Sequence, residues 1–229
     1  MLSKEPSPLK TETTVAVVRP EENILYRDGS RIPPHYWEEL AALDPEDVCK
    51  RGGVTHDGEK GYRVPFLSRI YWVEPLQKRI HREDLPEKNL SFQEYLVLLV
   101  YLIQSQDLPF QGRSITEREI PGGDLFFRGP HALFREPLEG RFGRDPEGFL
   151  QAGLNLGGSP TGKGDASFKL LVLPRIPVEY ILYREDEEFP AQIVIHFDGG
   201  IHRHLPLDVI WSLVNLTGWR ILGADPQKP

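Results

Sequence analysis

The segment Ser91-Phe-Gln-Glu-Tyr-Leu-Val-Leu-Leu-Val-Tyr-Leu-Ile103 predicts a helix that lies in the middle of the protein. Its first four residues match a capping box, in which the serine and glutamate side chains bond to each other's backbone N–H groups. From Phe92 to Ile103, apolar residues cover almost the whole circumference of the helix. Other elements enclose such a helix, so a buried central helix is the first expectation for this fold.

Strand-forming runs separated by turn residues occur in two groups, one before and one after this helix. The runs are Val54 to Asp57, Tyr62 to Leu67, Ile70 to Val73, Ser167 to Leu173, Val178 to Tyr183, and a hairpin around Gly199-Gly200. Short helices are expected at Pro34 to Leu43, Asp44-Pro45 to Gly52, His131 to Arg141, Asp145 to Leu156, and Leu207 to Leu216, the last amphipathic. Because the strands form adjacent hairpins with helices between the groups, we expect an α+β fold with mostly antiparallel sheets.

Length and composition predict one large domain or two closely packed halves. The chain has 229 residues, and 39% of them are hydrophobic, which is enough to build a substantial core. We expect a single α+β domain at residues 12–222, with a flexible tail at residues 1–11 and a flexible C-terminus at residues 223–229. Thr13 to Val18 is a further strand candidate.

Charge and cysteine content narrow the range of partners. A net charge of −7 disfavours binding to nucleic acid or to an anionic membrane, because both require a basic surface. The longest apolar run, Tyr95 to Ile103, is about half of what a bilayer span requires. The lone Cys49 excludes a disulfide within the chain, and the polar N-terminus contains no signal core. A cytoplasmic protein is therefore expected.

The densest group of ionisable residues lies at the predicted Gly199-Gly200 hairpin. If its loop has three residues, Phe197 pairs with Ile201, and the apolar residues of both strands share one face. The other face then carries three histidines and an aspartate at its tip: His196, His202, His204 and Asp198. Imidazoles with a nearby carboxylate can ligate zinc, iron or another transition metal. A simply solvated face produces the same alternation, so both interpretations stay open.

Two further segments are candidate sites. The turn Asp186-Glu-Glu-Phe-Pro190 carries three consecutive carboxylates, and repulsion between them can raise one pKa enough for Asp186, Glu187 or Glu188 to act as a general base. A solvated turn at a strand end is the alternative. Gly157-Gly-Ser-Pro-Thr-Gly-Lys-Gly164 is nearly a phosphate-binding loop. It lacks the Ser or Thr that holds magnesium. A phosphate-binding loop follows a strand and precedes a helix, whereas this segment follows a predicted helix and precedes a predicted strand. A connecting loop is therefore favoured.

A series of short blocks between residues 40 and 220 has a recognisable order. The blocks are Val48-Cys-Lys-Arg-Gly52, Tyr62-Arg-Val-Pro-Phe-Leu-Ser68, Ile120-Pro-Gly-Gly123, Phe142-Gly143, Leu156-Gly-Gly158, Asp165, Leu173-Pro-Arg-Ile-Pro177, Asp186-Glu-Glu-Phe-Pro190, and Phe197-Asp198 with Leu205-Pro-Leu-Asp208. In this order they resemble the domain of unknown function 3786 family, found mainly in anaerobic bacteria and archaea. The resemblance makes Phe189, Asp198 and Asp208 candidate binding residues, and it implies no agreed activity.

Some relatives in that family carry an appended cysteine-rich iron–sulfur domain, like those in corrinoid proteins of one-carbon metabolism. This chain has one cysteine, so the resemblance implies that any cluster would sit on a partner. The leading hypothesis is a cytoplasmic binding or accessory protein of anaerobic metabolism, acting with a redox or corrinoid iron–sulfur partner. The alternatives are a metal-dependent enzyme that uses the three histidines, and a purely structural interaction protein. The sequence indicates no particular cofactor and no oligomeric state.

Overall fold

A computed structural model of the chain describes residues 28–223. The strand candidate at Thr13 to Val18, the expected tail at residues 1–11 and nearly all of the expected flexible C-terminus lie outside this range. Among the described residues, no helix combines the length and the apolarity that a bilayer crossing needs.

Seven α-helices lie within residues 28–223. They are α1 (Pro34–Ala42), α2 (Pro45–Gly52), α3 (Phe92–Gln104), α4 (Gly123–Phe126), α5 (Glu136–Phe142), α6 (Pro146–Asn155) and α7 (Leu207–Ile221). Short 3-10 helices occupy Gly29–Arg31, Glu117–Glu119, Gly129–His131 and Ile201–Arg203. The helix expected at His131 to Arg141 is thus a 3-10 turn followed by α5. The last helix runs to Ile221, and most of its residues are buried. The expectation that this helix is amphipathic is therefore wrong.

Two antiparallel sheets complete the fold and confirm the α+β class. The first sheet is the meander β1 (Thr55–Asp57), β2 (Gly61–Phe66), β3 (Arg69–Glu74) and β4 (Arg79–Arg82), with the strands in that order. The second sheet contains β5 (Ser114–Ile115), β6 (Ser159–Pro160), β7 (Ala166–Leu173), β8 (Ile176–Tyr183) and β9 (Gln192–Asp198), in the spatial order β5-β9-β8-β7-β6. The sequence predicted the first three strands of the meander and missed β4.

The central helix α3 is confirmed together with its capping box. The Glu94 backbone N–H donates to Ser91 Oγ at 3.2 Å, and the Ser91 N–H donates to Glu94 Oε2 at 2.8 Å. Every residue from Leu96 to Ile103 is buried, as the all-round apolar pattern requires. Helices α1 and α7 pack against α3, so burial rather than intrinsic helix propensity accounts for most of its stability.

Helix α6 covers the inner face of the second sheet. Cross-strand pairing places Phe168, Tyr180 and Ile195 in one row on that face, and all three are fully buried. The Phe149 ring of α6 lies 4.8 Å from the Phe168 ring, measured between centroids. A Cβ atom at Gly153 would lie 2.2 Å from the Phe168 ring, so only glycine allows this helix to approach the sheet so closely.

A buried polar network joins the first sheet to α3 and α7. Tyr71 of β3 donates its hydroxyl to Glu94 Oε1 at 3.1 Å and accepts a bond from Arg220 Nη2 at 3.0 Å. The guanidinium of Arg220 also lies 3.6 Å from Glu94 Oε1. All three side chains are buried, and burial together with the Glu94 charge holds the pKa of Tyr71 well above its usual value. The carboxylate therefore has both a cation and a hydroxyl donor inside the core.

The predicted hairpin at Gly199-Gly200 is wrong. Strand β9 ends at Asp198, and the chain continues into the 3-10 helix Ile201–Arg203 instead of a returning strand. The Asp198 carboxylate accepts backbone N–H groups of Gln111 and Gly112 at 3.1 and 3.0 Å. These bonds bring the distant strand β5 to the edge of β9, so the position expected for residues 201–205 is already occupied.

Candidate functional site

The turn Asp186-Glu-Glu-Phe-Pro190, called the carboxylate turn below, is held together by its first residue. Asp186 Oδ1 accepts the backbone N–H groups of Glu188 and Phe189, both at 2.8 Å. The Asp186 N–H donates to the Phe189 carbonyl at 3.0 Å. These backbone bonds lower the pKa of Asp186 below its usual value. A general base requires the opposite shift, so the geometry gives Asp186 a turn-forming role.

The remaining side chains of the carboxylate turn face solvent. Glu187 and Glu188 are exposed, and Phe189 is 66% exposed. The N-terminal end of the segment is fixed, because the Glu185 N–H donates to the Gly143 carbonyl at 3.0 Å and the Arg184 N–H donates to Asp165 Oδ2 at 3.0 Å. The turn therefore presents two carboxylates and one aromatic ring on a preorganised backbone.

The structure does not bring the three candidate histidines onto one face. His196 projects from β9 on the outer face of the second sheet, whereas His202 is exposed on the following 3-10 helix. His204 is only 6% exposed, and its Nδ1 accepts the Gln106 N–H at 3.3 Å. Among residues 28–223, no three His, Cys, Asp or Glu side chains are grouped to hold a metal ion. The shared face required a hairpin that does not form.

The other candidate binding residues have different surroundings. Asp198 joins the β5 edge to the end of β9 and also accepts the Gly200 N–H at 3.1 Å, so its carboxylate organises the backbone around it. Asp208 lies in the first turn of α7, where a negative charge interacts favourably with the helix dipole. Of these three candidate binding residues, Phe189 is therefore the one whose side chain contributes least to the fold.

A cluster that the sequence analysis missed lies on the outer face of the second sheet. The Glu179 cluster consists of Thr161, Lys163, Glu179 and His196. The Glu179 side chain is only 4% exposed. Its Oε2 atom accepts a bond from Lys163 Nζ at 2.8 Å and lies 3.4 Å from His196 Nδ1. Strand pairing sets the second contact, because Glu179 of β8 stands opposite His196 of β9.

The glycine-rich segment, residues 157–164, supplies the lysine. The Lys163 N–H donates to Ser167 Oγ at 2.7 Å, and the Thr161 N–H donates to the Ser167 carbonyl at 3.2 Å. Gly164 has a φ of +57°, and a Cβ atom there would lie 2.6 Å from the Leu182 carbonyl oxygen, so glycine is required on both counts. The segment lies along the sheet, and its lysine is committed to Glu179 rather than presented as in a phosphate-binding loop.

The surroundings of Glu179 favour the charged form of its carboxylate despite its burial. Burial alone would raise its pKa, but the hydrogen bond from Lys163, with Thr161, the lysine charge and His196 beside it, leaves the pKa below its usual value. The buried atoms Glu179 Oε1, Thr161 Oγ1 and His196 Nδ1 make no hydrogen bond of good geometry with any described residue. An imidazole beside a carboxylate is an arrangement suited to proton transfer. Here the tightest contact is Lys163 to Glu179, which fastens the glycine-rich segment to the sheet.

One sequence feature could have identified this cluster. Glu179 interrupts the apolar run of β8 between Val178 and Tyr180, and a carboxylate in a buried strand requires a cationic partner. Which lysine or arginine serves as partner depends on the path of the glycine-rich segment over the sheet, and that path is a long-range property.

Two of the sequence blocks contact each other and serve the fold. In the turn between β7 and β8, Arg175 donates from Nη2 to the Lys50 carbonyl at 3.0 Å and from Nε to the Arg51 carbonyl at 3.3 Å. Tyr101 Oη donates to the Gly52 carbonyl at 2.6 Å. These bonds satisfy the free carbonyls at the C-terminus of α2, so both blocks have a structural role.

Comparison with models of protein families gives a match over most of the chain. A family model described as "Domain of unknown function (DUF3786)" matches residues 44–218. No curated protein and no solved structure shows significant similarity to the chain. The matched range contains both sheets, the carboxylate turn and the Glu179 cluster, and it covers most of the chain. The chain therefore belongs to the DUF3786 family, a domain of unknown function.

Proposed function

We propose that this protein is a cytoplasmic accessory protein of anaerobic metabolism that binds a redox protein or a corrinoid iron–sulfur protein through the carboxylate turn. The observation that carries the proposal is Phe189, which is 66% exposed on a turn whose backbone is fixed. The redox or corrinoid nature of the partner rests on the family resemblance.

Asp186 has a structural role in the turn, whereas the Phe189 ring packs little against the rest of the protein. Asp186 closes the turn through two backbone bonds, and Pro190 precedes the first residues of β9. Phe189 instead displays an aromatic surface to water. Aromatic side chains of this kind dominate binding energies when a partner covers them. The fixed backbone favours such a contact because little conformational entropy remains to be lost on binding.

The charges around Phe189 indicate the chemistry of the partner surface. Glu187 and Glu188 precede the ring and are exposed, and the chain carries a net charge of −7. A partner patch that combines an apolar pocket with lysine or arginine at its rim complements this surface. Rim charges of this type act mainly on the association rate, and salt weakens their effect.

The test is direct binding under anaerobic conditions to two purified probes, a corrinoid iron–sulfur protein and a small iron–sulfur electron carrier. We expect one of them to bind the wild-type protein, and Phe189→Ala to weaken that complex about 30-fold, the effect of losing an aromatic hot spot. The matched control is Phe110→Ala, which removes another exposed phenylalanine and should leave affinity unchanged.

Two results would overturn the proposal. The first is that neither probe binds the wild-type protein. The second is that Phe189→Ala binds as tightly as the Phe110→Ala control. Unfolding of both variants is measured in parallel, and the exposed position of Phe189 predicts a change within about 0.5 kcal/mol of wild type. A loss of binding can then be assigned to the surface.

A further inference from the structure

A cleft of about 250 Å³ opens beside the 3-10 helix Glu117–Glu119 and helix α4. Three arginines line it, Arg118, Arg128 and Arg135, and Phe127 contributes a largely buried apolar wall. The cleft lies on different elements from the carboxylate turn and from the Glu179 cluster.

The arginines outnumber the carboxylates of this cleft. Arg128 Nη2 binds Asp124 Oδ1 at 2.8 Å, and Arg135 Nη2 binds Glu117 Oε2 at 2.6 Å. Arg118 Nε lies 4.0 Å from the other oxygen of Glu117, so two of the three arginines share one carboxylate. The lining therefore keeps an excess of one positive charge, although the chain as a whole has a net charge of −7.

Arg135 has a donor that the fold leaves without an acceptor. Its Nε atom is buried and forms no hydrogen bond with any residue between 28 and 223. The bond to Glu117, whose side chain is 8% exposed, fixes the guanidinium in place. The Nε atom is closed to solvent, so a ligand in the cleft meets the exposed part of the Arg135 side chain, which is 29% exposed and lines the cleft.

We propose that this cleft binds the phosphoryl group of a small phosphorylated molecule. Arginine matches phosphate oxygens through paired N–H donors, and the bond to Glu117 holds the partly exposed Arg135 side chain in place beside the cleft. Three arginines on separate turns of the chain suit a tetrahedral anion with several acceptor oxygens better than a planar carboxylate with two. The volume of about 250 Å³ is below that of typical drug-sized ligand pockets, so the bound group is compact.

The three arginines have different roles in the proposed site. Arg135 is the primary donor because it is held in place and partly buried, while Arg118 and Arg128 are exposed and close around the anion. The carboxylates of Glu117 and Asp124 orient the arginines and reduce the non-specific attraction of other anions to the cleft.

The test is a titration of the whole protein with inorganic phosphate, in which binding is measured by calorimetry and by the broadening of the phosphorus NMR line. We expect wild-type protein to bind phosphate and to bind acetate at least about tenfold more weakly. Arg135→Lys keeps the charge that pairs with Glu117 but removes the planar fork, and it should weaken phosphate binding about tenfold or more.

Two exposed variants keep the test informative if Arg135→Lys folds poorly. Arg118→Gln and Arg128→Gln should each weaken phosphate binding severalfold without a change in unfolding. The matched control is Arg63→Gln in the first sheet, which also breaks an arginine–carboxylate pair and should leave binding unchanged. The proposal is overturned if millimolar phosphate does not bind wild-type protein. It is equally overturned if Arg63→Gln weakens binding as much as the cleft variants, or if acetate binds as well as phosphate.

Discussion

At the scale of single residues, His204 is the histidine that folding removes from water. Its Nδ1 accepts the Gln106 N–H, which requires the neutral ring. Burial lowers the pKa of His204, the charges of Arg175 and Arg203 lower it further, and the carboxylate of Asp198 only partly opposes them. The unfolded chain protonates the same ring near pH 6.5, so the two states bind different numbers of protons below that value.

This difference predicts how stability depends on pH. Because the folded pKa is depressed, the contribution of His204 is present above about pH 6.5 and is lost as pH falls through the folded pKa. We expect the free energy of unfolding to fall between about pH 7 and 5. His204→Gln, which keeps an acceptor for the Gln106 N–H, should flatten that fall. A residual slope is expected from His81, whose pKa burial also lowers.

The matched control for this experiment is His202→Gln, which changes an exposed histidine two residues away. Denaturant unfolding at closely spaced pH values gives the slope for each protein. The prediction is contradicted if wild type, His204→Gln and His202→Gln show the same slope between about pH 7 and 5.

At the scale of elements, the bond between Lys163 and Glu179 determines how the glycine-rich segment rests on the second sheet. Glu179→Gln removes the charge that Lys163 neutralises. Lys163 is 48% exposed and can turn to water, so we expect a loss of about 1–3 kcal/mol, the effect of disturbing a buried hydrogen-bonded group. Hydrogen exchange should quicken at the Lys163 amide, which is bonded to Ser167 Oγ, before it quickens in β7 and β8.

An exposed ion pair supplies the comparison. Glu83→Gln breaks the contact with Arg63 on the first sheet, where both side chains are exposed, and it should destabilise the protein clearly less than Glu179→Gln, because solvent screens exposed ion pairs. Equal losses in the two variants would argue against the fastening role of Glu179. So would unchanged exchange in the glycine-rich segment of Glu179→Gln.

The elements also indicate what the sequence could predict. The capping box at Ser91 and the left-handed glycine Gly53 after α2 depend on neighbouring residues alone, so local patterns located those helix ends correctly. The prediction of a hairpin at Gly199-Gly200 failed because the outcome depends on residues far away in the chain. The alternation of apolar and polar residues fits a hairpin, but the Asp198 carboxylate binds the Gln111 N–H just before β5, and β5 pairs with β9. The same limit hid the Glu179 cluster, whose members come from a loop and two strands.

At the scale of the whole molecule, the network of Tyr71, Glu94 and Arg220 connects the first sheet to the central and C-terminal helices. The buried apolar residues of both sheets form one contiguous cluster around α3. Contacts that cross between the halves of a protein make them unfold together. We therefore propose that the described elements form one cooperative unit, and the single domain at residues 12–222 stays a prediction.

Arg220→Met tests that proposal, because it keeps apolar bulk in α7 while removing the Arg220 cation from beside the Glu94 carboxylate. Removing one partner of a buried ion pair costs about 3–5 kcal/mol, and the loss should destabilise both sheets equally. Hydrogen exchange at rising denaturant should give one opening free energy for β2 and β3 and for β7 and β8, lowered in the variant by the same amount. Arg184→Met, which breaks an exposed pair with Asp165, should cost less than about 1 kcal/mol. If the first sheet of Arg220→Met opens while the second keeps its wild-type protection, the two sheets are separate folding units and the network only braces the first.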